Sequence, residues 1–349
     1  MTKVVRVSPD NPDAHVLIEC ARVIKAGGLV AFPTETVYGL GADAFNEEAV
    51  RRVFKVKGRP PNNPLIVHIA SLNQLGEVAL SIPERAWKLI RWSWPGPLTL
   101  VLKRKEDLPQ EVTAGLDTVA VRMPANPIAL KLIELSRTAL VAPSANLSGK
   151  PSPTTAEHVI QDLYGKVDVI IDGGETIYGL ESTIIDITAE PPEILRPGAI
   201  PPEAIERVLN VEVRVRPLVK SPVTGRMRRY APRTPIIVVE ARDYSDLRSY
   251  VRRVKEVVKK NVSKRLRVAV IASLETCQHY GDLGVGVKVL SLGSRRDLFS
   301  VGRKLFKVLR DVDRLNVDIA IVEGFEEKGL GISVMDRLRK ASCYNVVKF

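Results

Sequence analysis

Apolar residues recur at helical spacing in "HVLIECARVIKAGG", a run that stops at Gly27-Gly28 and predicts a first helix. The next stretch, "LVAFPTETVYGLGADAF" (Leu29 to Phe45), opens as a buried strand and then breaks its own pattern. Pro33 withholds a ladder donor, polar Thr34, Glu35, Thr36 and Tyr38 follow, and Gly39 and Gly41 carry no side chain. "NEEAVRRVFKVKG" predicts a second helix, with Asn46 as N-cap and two glutamates in the first turn. Beyond it, "PLIVHIA", "LTLVLKR", "TVAVRMP", "ALVAPSA", "DVIIDGG", "STIIDI" and "EILRP" read as strands. "PERAWKLIRWSW", "PIALKLIELS" and "TTAEHVIQDLY" read as helices among them. Several strands follow one another directly, so the expectation is an α/β or α+β sheet with both directions of pairing.

After Val215 the texture changes. "RPLVKSPVTGRMRRYAPRTP" holds four prolines and the basic cluster Arg226, Arg228, Arg229 and Arg233, without periodicity, and reads as a linker over 217–234. From 235 the alternation becomes regular: "PIIVVEA", a basic helix "SDLRSYVRRVKEVVKKN", "LRVAVIA", "VKVLSLG", the helix "SRRDLFSVGRKLFKVLRDVD", "IAIVEGF", the helix "ISVMDRLRKAS" and "NVVKF". That order predicts a smaller, parallel, Rossmann-like α/β domain over 235–349 with helices on both faces. The first domain spans 1–216.

The formal charge of +12 favours polyanionic partners such as nucleotides, phosphorylated metabolites or RNA. Cys20, Cys277 and Cys343 lie far apart and form no CxxC, which argues against a disulfide frame or a zinc ribbon. There is no basic start leading into an apolar segment, and no apolar run of ~18 residues, so a cytoplasmic protein is expected.

A basic chain invites a search for a phosphate loop. "GDLGVGVK" lacks the Gly-Lys-Ser/Thr ending, no GxGxxG opens a helix, and no GxSxG, HExxH or EF-hand loop occurs. Two other clusters offer anion and polar contacts. In "KVKGRPPNNPLIVHI", Lys57 and Arg59 straddle Gly58 just before a proline-stiffened loop, an arrangement suited to a triphosphate. Asn63 adds an amide and His68 lies on the following strand. In "VAPSANLSGKPSPTT" a strand again ends in small hydroxyl and amide residues, Ser144, Asn146, Ser148 and Ser152. The glycines and hydroxyls of both strand ends read as devices that let a small ligand approach and orient it.

Six stretches in order, "FPTETVYGLGADA", "KVKGRPPNNPLIVHI", "WPGPLTLVL", "VAVRMP", "APSANLSGKPSPT" and "GLESTIIDI", resemble the YrdC-like family over roughly residues 1–216. Lys57, Arg59, Ser144 and Asn146 match its Lys-x-Arg…Ser-x-Asn signature, and the joint plus terminal α/β unit resemble its long, two-domain form. The resemblance implies a twisted mixed sheet with helices around a basic cavity. It also implies a nucleotidyltransferase that makes L-threonylcarbamoyladenylate and pyrophosphate from L-threonine, bicarbonate and ATP. The threonylcarbamoyl group then passes, through a separate complex, to an adenosine beside the anticodon of tRNA. Magnesium is expected with the ATP, and transient contact with tRNA or that complex is a further expectation. By resemblance, Lys57 and Arg59 hold phosphates, and the ATP side adds Asn63, Thr118, Ser144, Asn146, Ser152, Arg196 and Tyr230. The threonine side is Thr36, His68, Arg122, the backbone at Ala142, and Ser182. Tyr230 would make the linker a lid.

The chain departs from the family's usual pattern at Arg229, where a histidine more often precedes the tyrosine. It departs again at Ile332-Ser333, where Arg-Ala more often precedes Val-Met. The residues leave two alternatives open. A carbamoyladenylate-forming carbamoyltransferase would carry zinc-finger cysteine pairs, which this chain lacks. A non-catalytic RNA-binding module fits the charge, but an aromatic content of 5% is low for base stacking.

Overall fold

The computed structural model describes residues 1–216, 228–281, 283–284 and 286–349. Most of the expected linker, 217–227, lies outside the described residues, as do Asp282 and Val285 of "GDLGVGVK". Two units are distinguished: Met1–Ser148 with Ser152–Arg216, and Gly149–Pro151 with Pro217–Phe349.

In the first unit the strands are β1 (Lys3–Arg6), β2 (Val30–Phe32), β3 (Gly39–Asp43), β4 (Ile66–His68), β5 (Leu98–Lys103) and β6 (Thr118–Arg122). They continue with β7 (Leu140–Val141), β8 (Val169–Asp172), β9 (Thr183–Asp186), β10 (Glu193–Arg196) and β11 (Arg214–Val215). The helices are α1 (Ala14–Lys25), α2 (Glu47–Lys57), α3 (Leu72–Val78), α4 (Glu84–Ser93), α5 (Gln110–Thr113), α6 (Pro127–Ser136), α7 (Ala156–Leu163) and α8 (Pro202–Leu209). The strands form one sheet in the order β1-β8-β2-β3-β7-β4-β6-β5-β9-β10-β11, with parallel and antiparallel pairs mixed.

Alternation along the strands feeds two cores. Leu29 and Ala31, Val141 and Ile170 face one; Val30, Phe32, Leu140, Ile171 and Val169 face the other, against α1 and α6. A sheet buried on both faces needs near-continuous apolar strands, which is how β2 and β8 read. Helix α2 shows the local logic at its clearest. Asn46 Oδ1 accepts from Ala49 N at 3.0 Å, Glu47 and Glu48 sit in the first turn, and Gly58 closes the helix at φ 61°. Val50, Val53, Phe54 and Lys57 form its buried stripe, so a lysine stands at a core position.

In the second unit β12 (Ile236–Glu240), β13 (Val268–Ser273), β14 (Val287–Gly293), β15 (Ile319–Glu323) and β16 (Val346–Lys348) pair in parallel in the order β14-β13-β15-β12-β16. The connecting helices are α9 (Leu247–Val262), α10 (Leu298–Asp311) and α11 (Leu330–Ala341). Tyr250, Val251, Val254 and Val258 of α9 pack on Val268, Val270 and Ile321. No helix among the described residues is long and apolar enough to cross a membrane.

Candidate functional site

The broken strand after β2 and the loop after β7 are each other's hydrogen-bond partners. Leu40 N donates to Pro143 O at 2.7 Å and Ala145 N to Tyr38 O at 2.8 Å, while Gly39 and Ser144 form an isolated bridge. Tyr38 N reaches Pro153 O at 2.9 Å, and Tyr178 N reaches Glu35 O at 2.8 Å. The loops around residues 35, 144, 153 and 178 therefore gather at one side of the sheet.

Lys57 enters this cluster from α2. Its Nζ donates to Ser144 O and to Asn146 O, the latter at 2.6 Å, and Ser148 N donates to Lys57 O at 2.8 Å. Only 3% of Lys57 is exposed. Burial, and then the nearby Arg59 charge, lower its pKa to about 7, against an opposing pull from Asp162. Asn146 is buried, with Nδ2 donating to Leu147 O at 2.8 Å, and Ser144 is half-buried. Arg59 turns back over the proline-rich loop, Nε to Asn63 O at 3.1 Å and Nη2 to Pro64 O at 2.8 Å. Thr118 opens β6, opposite Lys103 of β5. It stands four residues, about 13 Å, along β6 from Arg122.

At the other end of β6, Arg122 lies opposite His68 of β4. Its Nη1 donates to Thr36 Oγ1 at 2.8 Å, its Nη2 to Glu35 Oε1 at 2.5 Å, and its Nε to Gly96 O at 3.2 Å. The Arg122–Glu35 pair is buried on both sides, with side chains 4% and 3% exposed. Burial, then the Arg122 charge, push the His68 pKa down to about 3, with Arg196 adding to the effect and the Ile66 carbonyl opposing it. His68 is therefore a neutral wall residue at ordinary pH. Arg196 folds onto Ser182, Nη2 lying 2.8 Å from its carbonyl and 3.1 Å from its hydroxyl, and Ser182 Oγ shares a 2.7 Å hydrogen bond with Thr99 Oγ1. Ser152 Oγ donates to Glu181 Oε1 at 2.7 Å. The Ala142 backbone N is taken by Ile66 O at 3.0 Å.

Tyr230 belongs to the second unit, at φ 57°, with its ring 5.4 Å from that of Phe306 and 5.4 Å beneath the Arg337 guanidinium. Gly149–Pro151 is grouped with the same unit: Gly149 O accepts from Ala231 N at 2.9 Å and Pro151 O from Arg310 at 2.5 Å.

The glycines of the broken strand do something other than make room for a ligand. A Cβ on Gly41 would lie 2.6 Å from Phe32 Cε1, and one on Gly39 would lie 3.3 Å from Ala142 Cβ. The space is filled by protein, so these glycines serve strand packing. Reading the sequence also passes over Glu35, Thr99 and Glu181, the partners of Arg122, Ser182 and Ser152. Glu35 and Glu181 do stand inside quoted motifs, but nothing local marks a carboxylate as the mate of a residue tens of positions away.

Among the described residues no group of three or more His, Cys, Asp or Glu could hold a metal ion. Two cavities of ≈ 860 and ≈ 520 Å³ lie in the second unit, near Tyr244 and Phe325 at the carboxyl ends of its strands. None of the site residues expected from the sequence lines either one.

Known proteins match this arrangement along its length. A family model for Sua5, YciO and YrdC, described as telomere recombination, matches residues 22–198. A second, described as the C-terminal domain of threonylcarbamoyl-AMP synthase, matches residues 200–343. The threonylcarbamoyl-AMP synthase of Pyrococcus abyssi is 52% identical over 356 residues, covering 100% of both chains. That of Bacillus subtilis is 41% identical, covering 95% of this chain and 94% of the relative. The crystal structure of P. abyssi Sua5 complexed with L-threonine aligns with a TM-score of 0.90 at 48% sequence identity, covering 100% of both chains.

Proposed function

This chain belongs to the Sua5/YciO/YrdC family, and on that premise we propose that it makes L-threonylcarbamoyladenylate and pyrophosphate from L-threonine, bicarbonate and ATP. The observation that carries the reading is the end-to-end match to a relative named threonylcarbamoyl-AMP synthase, both domains included. The threonine amine and bicarbonate form a carbamate with loss of water. A carbamate oxygen then attacks the α-phosphorus, and pyrophosphate leaves. Such a reaction asks the protein to position anions and stabilise spreading charge rather than to supply a nucleophile.

The assignment of residues to the two substrates is the one that the resemblance implies. Lys57, Arg59, Asn63, Thr118, Ser144, Asn146, Ser152, Arg196 and Tyr230 take the ATP, and Thr36, His68, Arg122, Ser182 and the Ala142 backbone take threonine. Magnesium arrives with ATP, held through phosphate oxygens and water. The product serves the adenosine beside the anticodon of tRNA, with tRNA or the transferring complex as transient partners.

The direct test is pyrophosphate release from magnesium and ATP, with threonine and bicarbonate each supplied or omitted. Release that requires both is expected. Release with carbamoyl phosphate in their place would favour a carbamoyltransferase, and none from folded protein would overturn the assignment.

Lys57 adds a pH signature. With a pKa near 7 in the free protein, it is mostly neutral above that pH, and a triphosphate draws it back to the charged form. ATP binding should therefore take up close to one proton at about pH 8.5, and progressively less on the acid side of 7. Calorimetry in buffers of different ionisation enthalpy reads this uptake. Equal heats in all buffers at the alkaline pH would place ATP elsewhere or leave Lys57 charged throughout.

A further inference from the structure

The second unit carries two cavities that the assigned reaction does not use, and the topology of its sheet accounts for their place. β12 and β15 are neighbours, and the chain leaves them in opposite directions. From β12 it crosses β15, by way of α9, to reach β13; from β15 it crosses β12, by way of α11, to reach β16. The loops that follow these two strands therefore part. Open parallel α/β sheets take their ligands in the crevice so formed, at the carboxyl ends of the strands. Here Tyr244 of the first loop and Phe325 and Glu326 of the second line both cavities.

The smaller cavity, ≈ 520 Å³, is bordered by Arg295, whose side chain is 11% exposed. The guanidinium is held rigidly. Nε donates to Ser273 Oγ and Nη2 to Glu323 Oε2, each at 2.9 Å, and the rings of Tyr244, Tyr250 and Phe325 lie 5.1, 5.1 and 4.7 Å from its central carbon. Glu323 is itself buried and accepts from Ser273 N, Thr276 Oγ1 and Tyr280 OH. A guanidinium has five N–H groups. Three of those on Arg295, both on Nη1 among them, make no hydrogen bond among the described residues, and Nη1 is not sealed from solvent. Exposed Arg296 and Lys328 add two cations to the same wall. Of the two acids there, Asp297 is spent capping α10, accepting from Phe299 N and Ser300 N, which leaves Glu326. Tyr244 and Phe299 supply flat apolar surface beside these charges.

We propose that this crevice of the second unit binds a nucleoside monophosphate, with the phosphate on Arg295 between Arg296 and Lys328 and the base against Tyr244 and Phe299. Three cations facing one unspent carboxylate suit a doubly charged ester better than a single carboxylate, and a fixed arginine fork suits phosphate oxygens. The rings suit a base better than an aliphatic body. The site shares no residue with those assigned to ATP and threonine, so it stands or falls apart from the reaction proposed for the first unit.

The test is calorimetric titration of the full chain with AMP, GMP, UMP and inorganic phosphate. At least one nucleotide should bind about 10-fold more tightly than phosphate, the scale of one base stacked on an aromatic side chain. Lys57→Ala, a change in the first unit, should leave that binding in place. Arg296→Glu combined with Lys328→Glu should weaken it by about 10-fold. Both positions are exposed, so this variant tests the site even if a change at Arg295 fails to fold. Arg295→Lys keeps the charge beside Glu323 but loses the fork, and should weaken the nucleotide by about 10-fold again. The proposal is overturned if no nucleotide outbinds phosphate. It is overturned equally if every such binding is lost in Lys57→Ala, which would place it in the first unit, or survives the paired charge reversal undiminished.

Discussion

Replacing Lys57 with alanine is expected to lower the rate of threonine-dependent pyrophosphate release by about 10²–10³-fold, the usual effect of removing one donor from developing negative charge in a water-poor site. The Lys57 Nζ is held by two loop carbonyls, Ser144 O and Asn146 O, so it reaches the reaction preoriented. The same bonds mean that the alanine variant also loosens that loop. Lys57→Arg separates the two roles: it keeps the charge but is too large for a pocket where the lysine is 3% exposed. If charge alone mattered, arginine would restore most of the activity; with geometry required, it recovers little. Activity of Lys57→Ala within a few-fold of wild type, from protein that melts normally, would remove Lys57 from the phosphate site.

Replacing Arg122 with alanine is expected to act on stability as well as on turnover. It strands Glu35 as a buried charge, an imbalance that costs roughly 3–5 kcal/mol. For a unit of this size each kcal/mol lowers the melting temperature by about 2–4 °C. Threonine affinity should collapse at the same time, with ATP binding much less affected. Adding Glu35→Gln to Arg122→Ala removes the stranded charge and should return more than half of the lost stability while leaving threonine binding poor. A single variant that melts with the wild type would show that the pair is not sequestered as described.

Much of the architecture was legible along the chain. The cap at Asn46, the stop at Gly58 and the apolar alternation of β2 and β8 follow from local physics, and the structure has them. The parallel second unit could be read from strand–helix alternation alone. Elements without a strong period were passed over, among them β1, α3, α5 and α8. Of these α8 did carry a signal, Pro202 at its first turn and Ile205 and Leu209 on one buried face. Lys57 announced itself twice, once in a motif and once as a lysine seven residues after Val50 on an apolar helical stripe. What could not be read was pairing at long range. Arg122 meets Glu35 across 87 residues and Ser182 meets Thr99 across 83, and no spacing rule links them. A bare backbone reads the same in sequence whether it faces a ligand or a phenyl ring, and Gly41 faces the ring of Phe32.

The strand order of the first unit has a bearing on how the protein is made. β1 lies against β8, with Lys3 opposite Val169, and β5 lies against β9, with Leu98 opposite Thr183. A chain emerging from the ribosome therefore carries the edges of β2 and β5 unpaired until Val169 and Thr183 have been made. Such edges are templates for wrong partners, and contacts of long sequence separation form slowly. Ser182 and Arg196 arrive with these late strands, so the candidate site cannot be complete until translation has passed them. Apart from Gly149–Pro151, the second unit is decoded only after that point, when the sheet before it can already close.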